Sequence, residues 1–165
     1  MDAQLTHHEA AETVITMKPF KEFIAELFNR PARWKLKVNN SDLLTYVSNN
    51  IGKGKTLSVD FASYKNDGVW DVQFDVDGSS DVTGLGDEIV VFSTVLDIMK
   101  DFVNRVDADK IKFDGAKGQE DGESRVKLYN RLIKKFSSSH GYKLVNKNET
   151  TIGRITLVTY ELDKV

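Results

Sequence analysis

The segment best suited to chemistry in this chain is Ser80-Asp81-Val82-Thr83-Gly84-Leu85-Gly86-Asp87. A Gly-x-Gly turn that opens a helix aims backbone N–H groups and the positive end of the helix dipole at one point, the geometry that holds pyrophosphate. Three carboxylates flank this turn in sequence: Asp81, Asp87 and Glu88. In a first helical turn an acidic residue complements the dipole by roughly 0.3–1 kcal/mol. The same charges repel a bound phosphate. Asp87 reads as a helix cap, and the turn as a helix start that is stable while empty.

Other candidate sites are weaker. Gly52-Lys53-Gly54-Lys55-Thr56 has the flavour of a P-loop, but that motif needs a glycine where Asn49 stands and a helix where a strand is expected. It reads as a basic loop. His140 falls at a helix end, where a cation suits the dipole, and the only other histidines are His7 and His8. No Ser-His-Asp arrangement is indicated, and no metal site is expected. Arg125, Lys127, Arg131, Lys134 and Lys135 make a basic helix face without interleaved aromatics, which reads as solvated. The loop Asp114–Glu123 lacks the calcium-loop spacing and reads as a mobile connection.

The elements that would position these residues follow from hydrophobic spacing. Residues 1–16 are polar. Pro19 then opens a short amphipathic helix with Phe20, Phe23, Ile24, Leu27 and Phe28 on one face, ending before Pro31. Trp34, Leu36 and Val38 alternate with lysines as a strand, and Asp42–Val47 suits a second short strand or a turn of helix. Leu57, Val59 and Phe61, then Trp70, Val72, Phe74 and Val76, alternate around Lys65-Asn66-Asp67-Gly68, a strong hairpin signal. A short strand is expected at Ser80–Thr83.

A long helix is expected from Asp87 to about Arg105, with Ile89, Phe92, Val95, Leu96, Met99, Phe102 and Val103 inward. Ile111 and Phe113 mark a buried strand, followed by a glycine-rich loop from Gly115 to Gly122. A second helix spans Ser124 to about Ser137, and Tyr142 and Leu144 pair with Ile155–Tyr160 around a loop at Asn146–Gly153. The fold class is α+β: a single domain whose mixed, mostly antiparallel sheet carries two main helices packed on its faces. Residues 1–31 form an N-terminal extension and amphipathic helix, and residues 32–165 the α+β domain.

Composition bounds the function. With 165 residues, 40% hydrophobic and 29% charged, the chain suits one globular domain. It has no cysteine, which excludes a disulfide framework and thiol catalysis. A net charge of −2 argues against nucleic acid as the main partner. No apolar run is long enough to cross a bilayer, and the chain does not open with a basic segment followed by an apolar core, so neither a membrane partner nor a secretory signal is expected.

The order of elements in residues 56–162 resembles the GNAT acyltransferase superfamily. Asp81-Val82-Thr83-Gly84-Leu85-Gly86 is similar to that family's Gln/Arg-x-x-Gly-x-Gly/Ala turn, with aspartate in the leading position. Leu128-Tyr129-Asn130-Arg131 opens like its second-helix motif, although Gly141-Tyr142 comes about two turns late. The resemblance implies a central strand, a turn opening a long helix, another strand, a second helix and a terminal strand pair. It also implies that, in an active member, Gly84 and Gly86 would bind acetyl-CoA and Tyr129 would protonate the departing thiolate.

Met17–Glu26 is similar to the leader of proteins packaged into the heads of T-even-type tailed phages, whose Ile/Leu-x-Glu cleavage site is matched by Ile24-Ala25-Glu26. Together these resemblances imply a virion-associated or accessory structural protein of a tailed phage, degenerate at the cofactor site and acting without a cofactor. Its partners would be other virion proteins, a host protein or a second copy, in the virion or the host cytoplasm. Phe20, Phe23, Ile24, Leu27 and Phe28 are the partner-binding candidates, and packing on the chain's own sheet would bury them equally well. The alternatives are an acetyl-CoA-dependent N-acyltransferase and a packaged phage protein that inhibits a host factor.

Overall fold

The computed structural model describes residues 29–52, 54–78, 88–117 and 122–165. The amphipathic segment Phe20–Phe28, the turn Gly84-Leu85-Gly86 with Asp81 and Asp87, and the strand expected at Ser80–Thr83 lie outside these residues.

Strands β1 (Lys35–Asn39), β2 (Leu43–Ile51), β3 (Lys55–Ala62) and β4 (Val69–Val76) are followed by helix α1 (Glu88–Arg105) and strand β5 (Lys110–Lys117). Helix α2 (Gly122–His140) leads to β6 (Tyr142–Ile152) and β7 (Ile155–Lys164). The strands form one sheet in the order β1-β2-β3-β4-β5-β7-β6. Every pair is antiparallel except β4 with β5. A parallel pair needs a crossover, and α1 lies in the one that joins β4 to β5. The α+β class and the order strand, helix, strand, helix, strand pair stand as the sequence implies.

Alternation assigns the faces. Leu57, Val59 and Phe61 of β3, Trp70, Val72, Phe74 and Val76 of β4, and Ile111 and Phe113 of β5 are buried on one side. Both described helices cover that side, α1 over β2 and β3 and α2 over β5, β6 and β7. The helices thus share one face. The opposite face is polar and held by cross-strand partners: Thr45 Oγ1 donates to Asp60 (2.6 Å), Thr159 Oγ1 donates to Asp114 (2.6 Å), and Lys112 pairs with Glu161 (3.6 Å). Burial, helped by the charge of Asp114, pushes the Asp71 carboxyl on this face above the usual carboxylate range.

Residues 30–34 run along α1 in its own direction. The Arg30 N–H donates to Ser93 Oγ (3.3 Å), the Ala32 N–H to Thr94 Oγ1 (2.8 Å), and Trp34 Nε1 to Asp97 (2.7 Å). These bonds attach the segment before β1 to the helical layer.

Several boundaries differ from the sequence reading: α2, expected from Ser124 to about Ser137, begins at Gly122 and runs to His140. In the segment Asp42–Val47, Leu43–Val47 belong to the nine-residue strand β2, and Asp42 precedes it. The stretch Gly115–Lys117, read as loop, completes β5, because β7 supplies partners from Gly115↔Val158 to Lys117↔Thr156. Asn146–Ile152, also read as loop, continues β6 with β7 alongside it to Ile152↔Ile155. In β6 only Tyr142 is buried, so no apolar alternation marked the strand.

Three buried tyrosines tie sheet to body as neutral donors. Tyr46 donates to Asp101 of α1 (2.8 Å), Tyr142 to the Ala108 carbonyl (2.7 Å), and Tyr160 to Asn130 of α2 (2.7 Å). Burial raises all three hydroxyls, that of Tyr160 from 10.0 to about 12, and the Asp101 carboxylate adds to the rise at Tyr46. A raised phenol means that the unfolded chain loses its proton first. Stability is then fully present below pH ~10 and drains away as pH climbs through about 12. Urea unfolding at pH 8, 10 and 11 should show a midpoint that falls steadily above pH 10. A midpoint constant to pH 11 would contradict the neutral-donor assignment.

Candidate functional site

The sheet forks where its two parallel strands part. β4 and β5 pair only from Val69↔Lys110 to Val72↔Phe113, yet β4 runs on to Val76 and β5 to Lys117. Beyond the parting, β4 stays with β3 (Val59↔Phe74, Leu57↔Val76) and β5 stays with β7. The facing edges of the two outer halves are not bonded to each other. A fork of this kind opens a wedge that backbone or ligand groups could enter.

Aromatic rings from four elements meet on the helix side of the wedge. Phe74 of β4 lies 5.6 Å from Phe113 of β5 and 5.9 Å from Phe92 of α1, between ring centroids. Tyr129 of α2 completes the group, at 6.1 Å from Phe74, 5.8 Å from Phe92 and 5.6 Å from Phe113. Most of these contacts are edge-to-face, the arrangement that opposes ring edges to ring faces favourably. Phe113 is fully buried, and Phe92 and Tyr129 are each 2% exposed.

Gly115 makes room for this arrangement. A Cβ built there would lie 2.5 Å from Cε2 of Tyr129 and 2.6 Å from Cδ2. The ring therefore rests on the backbone of β5, where only glycine fits. Sequence reasoning assigned Gly115 to a loop. Its use as a floor for Tyr129 is a contact across 14 residues of chain that no local pattern encodes.

Of the residues singled out in the sequence, Tyr129 comes to the fork and touches Phe92, one turn into α1 from Glu88. Phe28, Phe20, Phe23, Ile24, Leu27, Gly84 and Gly86 lie outside the described residues. Of the segment Gly52-Lys53-Gly54-Lys55-Thr56, Lys53 lies outside the described residues, Lys55 and Thr56 open β3, the Lys55 N–H donates to the Gly52 carbonyl (3.1 Å), and φ is 41° and 76° at Gly52 and Gly54. A strand follows it, as expected, and not a helix.

His140 ends α2, stacked on Phe136 at 5.0 Å with Nδ1 3.1 Å from the Phe136 carbonyl. This is a helix-end role. Lys127, Lys134 and Lys135 are exposed on α2. Among the described residues, no three His, Asp or Glu side chains are grouped to hold a metal ion. No helix among them is long and apolar enough to cross a membrane.

No protein-family model matches the chain. No curated protein matches it. Among solved structures it is similar to a ribosomal-protein-S5-alanine acetyltransferase from Vibrio fischeri, at 9% identity and a TM-score of 0.48. The match covers 74% of this chain and 62% of that one, less than two thirds of its length. A likeness this distant concerns the path of the chain alone.

Proposed function

We propose that this chain is a non-enzymatic protein of a tailed phage, virion-associated or accessory, that works through protein–protein contacts. The observation that carries the non-enzymatic part is the ring-filled fork. A tyrosine acting as general acid must offer its hydroxyl to a leaving group in a space that a ligand can enter. Tyr129 is 2% exposed and boxed by Phe74, Phe92 and Phe113 over Gly115, so its ring serves as core. Asp81, Asp87 and Glu88 add charge of the wrong sign for a pyrophosphate.

The viral part rests on the leader-like segment Met17–Glu26. Phe20, Phe23, Ile24, Leu27 and Phe28 would form the contact surface toward another virion protein or a host protein. Calorimetry with acetyl-CoA is expected to show no binding at micromolar ligand. Micromolar binding that disappears on Gly86→Glu would overturn the non-enzymatic reading. Mass spectrometry of purified particles should detect the chain, and its absence from them would remove the virion-associated role.

The forked strands favour one second reading, an acetyl-CoA-dependent N-acyltransferase. In it Gly84 and Gly86 hold the pyrophosphate and Tyr129 protonates the thiolate. That activity would require Phe74 and Phe92 to leave the wedge. The same calorimetric experiment separates the two readings.

A further inference from the structure

The two ends of the sheet are built differently. β1 is five residues long and presents Lys35 and Lys37. β6 is eleven residues long, pairs with β7 on one side, and is exposed at every residue after Tyr142. Among the described residues no strand pairs with its outer edge. Apolar side chains crowd this hairpin: Leu144, Val145, Ile152 and Ile155 are 43–66% exposed. A long edge of this kind is a template for a further strand.

The backbone of β6 limits how another strand can join. Ile152↔Ile155 flank the two-residue turn Gly153-Arg154. In such a hairpin the flanking pair exchanges both ladder bonds, and bonded pairs then alternate. Residues 152, 150, 148 and 146 therefore turn their N–H and C=O groups toward β7. Residues 151, 149 and 147 turn theirs outward. Lys147 and Glu149 also share the helix side of the sheet, opposite the buried Tyr160 and Val158. The Lys147 ammonium lies 5.6 Å from the Tyr160 ring centre, and the Glu149 charge helps raise the Tyr160 hydroxyl.

Two copies of β6 meeting antiparallel about a two-fold axis must match outward residues with outward residues. An axis at Lys147 would oppose two lysines, and one at Glu149 would oppose two glutamates. An axis at Asn148 sets Lys147 of each copy opposite Glu149 of the other, twice over. It also sets Asn146 opposite Thr150. Like charges directly opposite one another are unfavourable and opposite charges favourable, so this register is selected. The bulge between Leu144 and Asn146 ends the ladder on one side, leaving residues 145–151 to pair.

We infer that β6 is a homodimerisation edge, joining two copies through an antiparallel β6–β6 ladder centred on Asn148 with reciprocal Lys147–Glu149 pairs. The ladder alone falls below the ~800 Å² per partner of stable interfaces. The dimer is therefore weak, with a dissociation constant in roughly the micromolar range.

Sedimentation velocity on the full chain across a concentration series tests this. The wild type should pass from monomer to dimer. Lys147→Glu alone and Glu149→Lys alone should each weaken dimerisation at least about tenfold, with circular dichroism unchanged. Mixing the two variants should restore association as a heterodimer, because the paired glutamates of the first variant then face the paired lysines of the second. A wild type that stays monomeric at ~200 µM, well above a micromolar dissociation constant, would overturn the inference. So would a dimer indifferent to both reversals, or one that mixing fails to restore.

Discussion

Phe102→Ala is expected to lower unfolding stability by about 3–5 kcal/mol, the largest effect of any single truncation in α1. Phe102 is fully buried, stacked on Phe61 at 3.9 Å with an 11° tilt, and meets Trp70 edge-on at 5.3 Å. The Phe61 ring continues to Tyr46 and Tyr46 to Trp34, so one chain of rings runs from Trp34, just before β1, through β2, β3 and α1 to Trp70 of β4. Removing its centre loses the apolar transfer energy of the ring and leaves a cavity that neighbouring rings, held in both directions, cannot fill. Native domains hold roughly 5–15 kcal/mol in all, and the thermal midpoint should fall by on the order of 10 °C. Urea denaturation of the variant checks it. A loss below ~1 kcal/mol would mean that α1 is not seated on β3 as described.

Gly115→Val should cost about 3 kcal/mol or more, for the opposite reason. It adds atoms where Tyr129 already lies 2.5 Å from the position of a Cβ. The ring has no free direction, being in contact with Phe74, Phe92 and Phe113. Valine otherwise suits a strand, so local preference and packing point in opposite directions and the measurement separates them. The double variant Gly115→Val/Tyr129→Leu should recover a good part of the loss, since the smaller side chain vacates the space. Non-additive free energies are the signature of a direct contact. Strict additivity would place Tyr129 elsewhere and reopen the wedge to a ligand.

Much of the fold was legible because its signals are local. Leu57, Val59 and Phe61 alternate with polar residues, as do Trp70 through Val76, and the Asn66-Asp67-Gly68 turn between them marks a hairpin. The inward face of α1 was readable from Phe92, Val95, Leu96, Met99 and Phe102, all buried. The errors have a common cause. β6 beyond Tyr142 is exposed throughout, so burial imposed no period on its sequence, and only its pairing with β7 reveals it. Gly115 read as loop because an isolated glycine in a strand carries no sign of what approaches it.

The candidate site divides in the same way. From the sequence by itself came an α+β order of elements, a glycine turn flanked by three acids, and Tyr129 on a helix, because propensity, alternation and charge act within a few residues. Tertiary structure alone decided that β4 and β5 part after Val72 and Phe113, and that four rings close the wedge. It also decided that both described helices share one face. Each of these depends on residues far apart in sequence competing for the same volume, and close packing leaves one arrangement that fits.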